Sequence, residues 1–170
     1  MRWWLPICLM GACTGGSNDP DTGDDTGADV AVDVVGYERS FGECIGVCVT
    51  TLTFAGDQVT LELREHDGTA AGGGVGTLSA SALIDFQALE DALPGGLPEV
   101  SGCPDCDDGG AESMILEDAD GVRTSYSWEF GNPPAEAAAI AGMFGSFLSP
   151  LSTCTSSAEI TVAPDCTADL

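Results

Sequence analysis

The chain contains no lysine, and its 170 residues include only four arginines and one histidine. Against these stand 28 acidic residues, which give a formal net charge of −24 at pH 7. Nucleic-acid binding normally requires clustered basic side chains that displace counterions from phosphates, so we expect no nucleic-acid partner. The negative charge of the chain also repels anionic lipid headgroups. The acidity is typical of a highly solvated surface or of adaptation to saline surroundings.

Side chains for histidine-dependent catalysis are equally scarce, because His66 is the single histidine. A Ser-His-Asp or Cys-His site would have to use His66, and no nucleophile-elbow motif accompanies it. A His-based catalytic zinc site needs two or three histidines. The glycine run at residues 72–76 lacks the Gly-Lys-Ser/Thr ending of a phosphate loop. We therefore expect a protein that is not an enzyme, without a cofactor or metal, in which His66 is an exposed loop residue.

The first twelve residues have the order of a bacterial export signal. Arg2 supplies a positive charge, residues 3–10 a short apolar stretch, and Gly11-Ala12 two small residues before Cys13. This order resembles the lipobox of bacterial lipoproteins, in which the cysteine receives a lipid. The stretch is too short to span a bilayer, which takes about 20 apolar residues. We expect a signal peptide over residues 1–12 and lipidation of Cys13; an ordinary secretory signal is the alternative.

The segment after Cys13 supports a lipid anchor. Residues 14–29 consist of Gly, Ser, Thr, Asn, Pro, Asp and Ala and contain no large apolar side chain. Such a segment cannot bury a core, so residues 13–33 are interpreted as the lipidated cysteine and an acidic, flexible tether. Acylation with several chains, palmitate among them, gives stable membrane anchoring. Thr14 stands where inner-membrane lipoproteins carry Asp, so the expected location is the cell envelope at the outer membrane.

Residues 34–170 are expected to form a single domain of strands and helices. Strands are expected at residues 30–37, 47–54, 58–65, 77–78, 111–117, 122–130 and 159–163, and a Gly-rich loop at residues 69–76. The order is strands, helix, hairpin, helix. It predicts an α+β fold in which an antiparallel sheet carries two helices packed on one face.

Apolar spacing defines the two helices. Residues 79–93 place Ala82, Phe86, Leu89 and Leu93 on one face, with a serine cap at the start and Pro94-Gly95 at the end. The second helix is expected to open at Asn132-Pro133-Pro134, because proline is favoured in the first turn. Its expected core stripe is Ile140, Met143, Phe144, Phe147, Leu148 and Leu151. Trp128, in the preceding strand, is also expected in the core.

Six cysteines remain once the signal peptide and Cys13 are set aside. An even number of cysteines in an exported domain predicts disulfides. We predict local pairing, in which each bond braces a turn. The expected pairs are Cys44 with Cys48, Cys103 with Cys106, and Cys154 with Cys166.

Two chemical alternatives use the same cysteines. Cys103-Pro104-Asp105-Cys106 has the Cys-x-x-Cys form of thiol oxidoreductases, whose first thiol lies at a helix N-terminus. A strand is expected after this motif rather than a helix. Cys44-x3-Cys48 and Cys103-x2-Cys106 could also form a four-cysteine zinc site, although an oxidising envelope favours disulfides.

Two stretches resemble known families. Residues 36–48, GYERSFGECIGVC, and residues 102–110, GCPDCDDGG, resemble uncharacterised cysteine-containing envelope domains. The Arg39-Ser40 opening and the order of elements are also similar to emfourin-type inhibitors of thermolysin-like metalloproteases, over most of residues 35–150. Those inhibitors lack this cysteine framework. The leading expectation is a membrane-anchored binding or structural module, and the second resemblance implies protease inhibition as an alternative.

Three disulfides in the mature chain lower its mass by six hydrogen atoms relative to the reduced form. We expect this difference, and no bound metal, for the chain from Thr14 onward purified from a periplasm. Intact mass before and after reduction and alkylation measures it, beside a metal determination under native conditions. Alkylation of Cys103 and Cys106 without prior reduction, or one bound zinc, would contradict the disulfide interpretation.

Overall fold

A computed structural model describes residues 32–106 and 109–168, so the expected signal peptide, Cys13 and most of the expected tether lie outside the described residues. Within the described residues the chain forms eight strands and two helices, in the predicted order of strands, helix, hairpin and helix. These are β1 (Val32–Ser40), β2 (Val47–Ala55), β3 (Gln58–Glu65), β4 (Ala70–Leu78), α1 (Ala80–Asp91), β5 (Val100–Ser101), β6 (Ala111–Asp118), β7 (Arg123–Glu129), α2 (Ala138–Ser152) and β8 (Ile160–Val162).

All eight strands belong to one sheet, in the order β5-β7-β6-β1-β2-β3-β4-β8. Neighbouring strands are antiparallel, except for β5 and β7, which run parallel. The two helices pack on one face of this sheet, against β1, β3, β4 and β8, and contact each other. The predicted α+β class is confirmed. No helix within the described part of the chain is long and apolar enough to cross a membrane.

The core lies between the helices and the sheet. In β3 the alternation predicted from the sequence buries Val59, Leu61 and Leu63, while the polar residues between them face the other side. Helix α2 buries the stripe expected of it, with Met143 packed at its margin. Its buried apolar residues are Ile140, Phe144, Phe147, Leu148 and Leu151. Each such side chain contributes about 1.5–3 kcal/mol of burial free energy, which makes this layer the main source of stability.

Helix α1 begins and docks through polar contacts. The Ser79 hydroxyl accepts a hydrogen bond from the Ala82 amide at 3.2 Å, which confirms the predicted serine cap. Near the helix end, the Glu90 carboxylate accepts the Val34 amide at 2.7 Å, beside an irregularity in β1. Burial raises the pKa of Glu90. Helix α1 is therefore attached to β1 by this hydrogen bond, in addition to packing on the core.

The expected Gly-rich loop at residues 69–76 is wrong, because this segment is strand β4. Its glycines form regular pairs with β3, Gly73 opposite Glu62 and Gly74 opposite Leu61. The segment after β8 crosses β4 closely, and the Thr167 amide donates to the Gly73 carbonyl at 2.9 Å. A Cβ atom on Gly74 would lie 2.7 Å from the sulfur of Cys166. The glycines therefore permit close approach of the backbone.

The second helix starts later than the Asn132-Pro133-Pro134 sequence predicts. Residues 132–134 are irregular and residues 135–137 form a turn, in which the Ala137 amide donates to the Pro134 carbonyl at 2.9 Å. Pro133 precedes another proline, which disfavours the helical conformation at that position. The helix consequently begins at Ala138, one turn downstream.

The remaining differences concern strand ends. Strand β1 continues to Ser40, and the two-residue strand β5 had no sequence prediction. Strand β7 is shorter than residues 122–130, and Val122 and Phe130 at its margins are exposed. Trp128 is buried as expected, with 1% of its surface exposed.

We expect Gly74→Ala to lower the free energy of unfolding by about 1–3 kcal/mol, because the new methyl group meets the Cys166 side chain. Gly95→Ala is the matched control, since a Cβ there meets nothing within 4 Å. We expect it to change stability by less than about 0.5 kcal/mol. Denaturant unfolding of both variants measures the difference. Equal stabilities would contradict the close crossing of β4 by the C-terminal segment.

Candidate functional site

Several connections of the sheet meet at one end. Ser40, the last residue of β1, pairs with Ala111, the first of β6, and Ala111 pairs in turn with Glu129 at the end of β7. On the other side, the start of β2 pairs with the end of β3. We call this region the loop end. Its segments are residues 41–46, 66–69, 102–106, 109–110 and 130–132.

Two of the three disulfides lie in the loop end. Cys44 and Cys48 close the β1–β2 connection with a Cα–Cα distance of 5.6 Å. Cys103 and Cys106 close a turn after β5 with a Cα–Cα distance of 5.5 Å. These are the local pairs predicted from the sequence. Each bond closes a short loop, so its main effect is to hold a turn in one conformation.

The third predicted pair, Cys154 with Cys166, has a Cα–Cα distance of 5.6 Å. It joins the residues after α2 to the segment that crosses β4. This bond therefore fixes the C-terminal segment beside β4.

The two closed loops contact each other. The Gly42 amide donates to the Asp105 carboxylate at 3.3 Å. Phe41 packs against Phe130 with 4.9 Å between ring centroids. Gly110 allows this arrangement, because a Cβ there would lie 2.5 Å from the Phe41 ring. Its carbonyl also accepts the amides of Asp105 and Phe130. The loop end is thus a connected structure rather than a set of independent loops.

A buried carboxylate lies directly beneath the loop end. Glu112, with 4% of its surface exposed, accepts the Tyr37 hydroxyl at 2.6 Å and the Arg39 Nε at 2.9 Å. Its second oxygen accepts the Trp128 indole N–H at 2.9 Å and the Gly131 amide at 3.4 Å. Both oxygens are satisfied, as a buried carboxylate requires. The network joins β1, β6, β7 and the turn after β7.

Two neighbours of Glu112, Tyr37 and Arg39, have properties that suit contact with a carboxylate. Burial, followed by the hydrogen bond to Glu112, raises the pKa of the Tyr37 hydroxyl far above its ordinary value. The phenol therefore stays protonated and donates. The Arg39 guanidinium lies 5.6 Å from the Tyr37 ring centroid and 5.5 Å from that of Phe130, within the range of cation–π attraction. Arg39 thus connects the buried network to the exposed Phe130.

Above this base, the loop end presents an open concavity of about 430 Å³. Its lining residues are Gly42, Glu43, Cys44, Ile45 and His66. Ile45 is fully exposed, at 105% of its reference surface. His66 is exposed in the β3–β4 turn, as the sequence predicted. The concavity therefore brings together the first disulfide loop and the single histidine.

The four sulfurs of the zinc alternative are bonded in two disulfides, Cys44 with Cys48 and Cys103 with Cys106. Strand β6 begins at Ala111, shortly after the Cys103–Cys106 turn, as the sequence predicts. Within residues 32–106 and 109–168, no group of three or more His, Cys, Asp or Glu side chains is arranged to hold a metal ion.

The described chain begins at the opposite end of the sheet. Val32, the first described residue, pairs with Asp118 at the far end of β6. Strand β1 has nine residues, each of which advances the chain by about 3.3 Å, so its two ends are about 25–30 Å apart. The described chain therefore enters the sheet at the end opposite the loop end.

Comparison of the chain with protein-family models, with curated proteins and with solved structures found no match. Conclusions about function therefore depend on the chemistry and placement of the chain's own residues.

Sequence reasoning placed Cys44, Cys48, Cys103, Cys106 and His66, but it missed the network around Glu112. One signal was present. Glu112 shares the alternation of Met114 and Leu116, both buried, so it occupies an inward position of β6. A charged residue in phase with buried neighbours indicates a buried carboxylate with dedicated partners.

We expect Glu112→Gln to lower the free energy of unfolding by about 1–3 kcal/mol, since it removes the charge that Arg39 and two further donors contact. Glu62→Gln is the matched control, because Glu62 forms an exposed ion pair with Arg64. Exposed pairs contribute about 0–1 kcal/mol. Thermal and denaturant unfolding measure both variants, and equal losses would show that Glu112 is no more important than a surface carboxylate.

Proposed function

We propose that this chain is a lipid-anchored, non-enzymatic binding module of the bacterial envelope, and that it binds its partner through the loop end. Cys13 holds it to a membrane, and the acidic tether separates the folded domain from the lipid. The partner is a protein that contacts the β1–β2 loop and the Cys103–Cys106 turn. In this proposal the disulfides are structural.

The observation that carries the proposal is the placement of the start of β1 relative to the closed loops. β1 begins at one end of the sheet, and the closed loops lie at the other. An anchored protein arranged in this way leaves its most rigid exposed loops accessible to other molecules. Loops held in one conformation before binding lose less conformational entropy when a partner docks, which favours affinity.

The charge distribution supports a role at a distance from the lipid. Each arginine of the described residues is paired with a carboxylate: Arg39 with Glu112, Arg64 with Glu62, and Arg123 with Glu117. The domain therefore offers anionic headgroups no unpaired arginine among its described residues. Attachment then depends on the lipid at Cys13.

We expect the full chain to incorporate labelled palmitate in its native host and to fractionate with the outer membrane. Cys13→Ser removes the acceptor thiol, so the label should be lost and the protein should leave the membrane fraction. Cys8→Ser is the matched control, because Cys8 lies inside the signal peptide. Palmitate incorporation by the Cys13→Ser variant would contradict the lipid anchor.

A second candidate function is protease inhibition. The residues that carry the resemblance to emfourin-type inhibitors include Arg39-Ser40, and these lead directly into the loop closed by Cys44 and Cys48. A rigid loop with an exposed apolar side chain is suited to occupy a peptidase cleft without being displaced. Arg39 itself is occupied with Glu112, so its role is to support the loop.

Inhibition is tested by adding the domain at micromolar concentration to a panel of secreted thermolysin-like metalloproteases. The inhibitor candidate predicts a dose-dependent loss of peptide hydrolysis for at least one member. Reduction of the disulfides before the assay should weaken inhibition, because the loop would lose its fixed conformation. Full activity of every protease at micromolar domain would remove this candidate.

A further inference from the structure

We infer that Ile45 is the anchor residue of the loop end, inserting into an apolar socket that is framed by Lys or Arg on the partner protein. The inference rests on the proposed function, since it names the chemistry of the partner that the loop end binds. It assigns the central contact to one side chain and the surrounding contacts to the acidic groups near it.

The exposure of Ile45 is the first observation. Isoleucine is among the most frequently buried residues, yet here its whole side chain is in solvent. The other exposed large apolar residues of the described chain are partly covered, with exposures of 40–64% for Ile84, Val100, Val122 and Phe130. No packing within the described domain accounts for the position of Ile45.

The backbone around Ile45 holds it outward. Gly46 follows it at a φ of +90°, a conformation that side-chain-bearing residues rarely adopt. The disulfide from Cys44 to the buried Cys48 fixes both sides of this turn. Ile45 is therefore presented in one orientation, as an interface anchor requires.

Acidic residues lie in the same loops as the anchor. Glu43 lines the concavity beside Ile45, and exposed Glu65 and Asp67 are the sequence neighbours of His66, which lines it as well. Asp105 lies close by, against the Gly42 amide. Hydrogen bonds from Thr69 hold the pKa of Asp67 below its usual range, so this group remains charged. An apolar projection within an acidic rim is complementary to an apolar socket with a basic rim.

The concavity beside Ile45 contributes to shape complementarity with the partner. The partner's socket receives Ile45, while a projecting group of the partner can enter the 430 Å³ concavity next to His66. Apolar contact at the centre and charged contact at the rim is the usual arrangement of protein interfaces.

The first test places a photo-crosslinking amino acid at position 43, 45, 66 or 105, one position per variant, of the full-length lipoprotein in its native host. Position 84 is the matched control, because Ile84 is also exposed but lies on α1, outside the loop end. We expect a discrete protein adduct from position 45 and none of the same mass from position 84. Adducts from positions 66 and 105 but not from 45 would overturn the anchor role.

The second test measures binding of the crosslinked protein to the full chain in detergent. We expect Ile45→Asp to weaken affinity at least about tenfold, and Ile45→Val to stay within about threefold. Ile84→Asp should leave affinity unchanged. Raising NaCl from about 0.05 M to about 0.5 M should weaken binding about tenfold, because the basic rim is screened.

The outcomes distinguish a failure of the inference from a failure of the proposed function. Equal binding by Ile45→Asp and the unmodified chain, or binding that is independent of salt, would overturn the socket chemistry while the binding module stands. No adduct from positions 43, 45, 66 or 105 would overturn the loop end as a binding surface, and the inference with it. Unchanged melting temperatures of the variants would show that a loss of binding is not caused by a loss of folding.

Discussion

The buried carboxylate of Glu112 is the interaction on which the loop end depends. A charge in the interior is stable only when its hydrogen-bonding capacity is filled, and here four donors fill it. Those donors come from β1, β7 and the turn that follows β7, while Glu112 itself belongs to β6. Three strands are thereby held in register where they reach the loops. Arg39 extends the same network to Phe130, against which Phe41 of the first loop packs.

Rigidity at the loop end is built from local constraints rather than from a deep core. The large apolar layer lies between the helices and β1 to β4, whereas the loops beyond the sheet are held by disulfides, by Gly110 and by the Asp105 contact. This division suits a binding module. The core supplies the free energy of folding, and the local constraints set the loop conformation before a partner arrives. The acidic surface keeps such a domain solvated.

The parts of the fold that follow from side-chain pattern could be predicted, as β3, the Ser79 cap and the α2 stripe illustrate. Each depends on residues close together in the chain. Strand β4 could not be predicted, because Gly72 and Gly74 are explained by contacts with residues 166–168, about 90 residues later in the sequence. The same holds for β5, which exists because Val100 and Ser101 find a place beside β7.

In the loop end too, local features could be predicted from the sequence, whereas long-range contacts could not. Local spacing was sufficient to pair its cysteines, since Cys44–Cys48 and Cys103–Cys106 each close one turn. The meeting of the two turns, and the position of Glu112 beneath them, depends on strand order, which joins residues about 70 positions apart. The exposure of Ile45 follows from that arrangement as well as from its own turn.

Hydrogen–deuterium exchange of the full chain, with and without an envelope extract from its host, tests the binding surface most directly. The account predicts slower exchange in residues 41–46, 66–69 and 102–106, and unchanged exchange in α1 and α2. Protection confined to the helices or to the uncovered face of the sheet would contradict it, because the partner would then bind a surface other than the loop end.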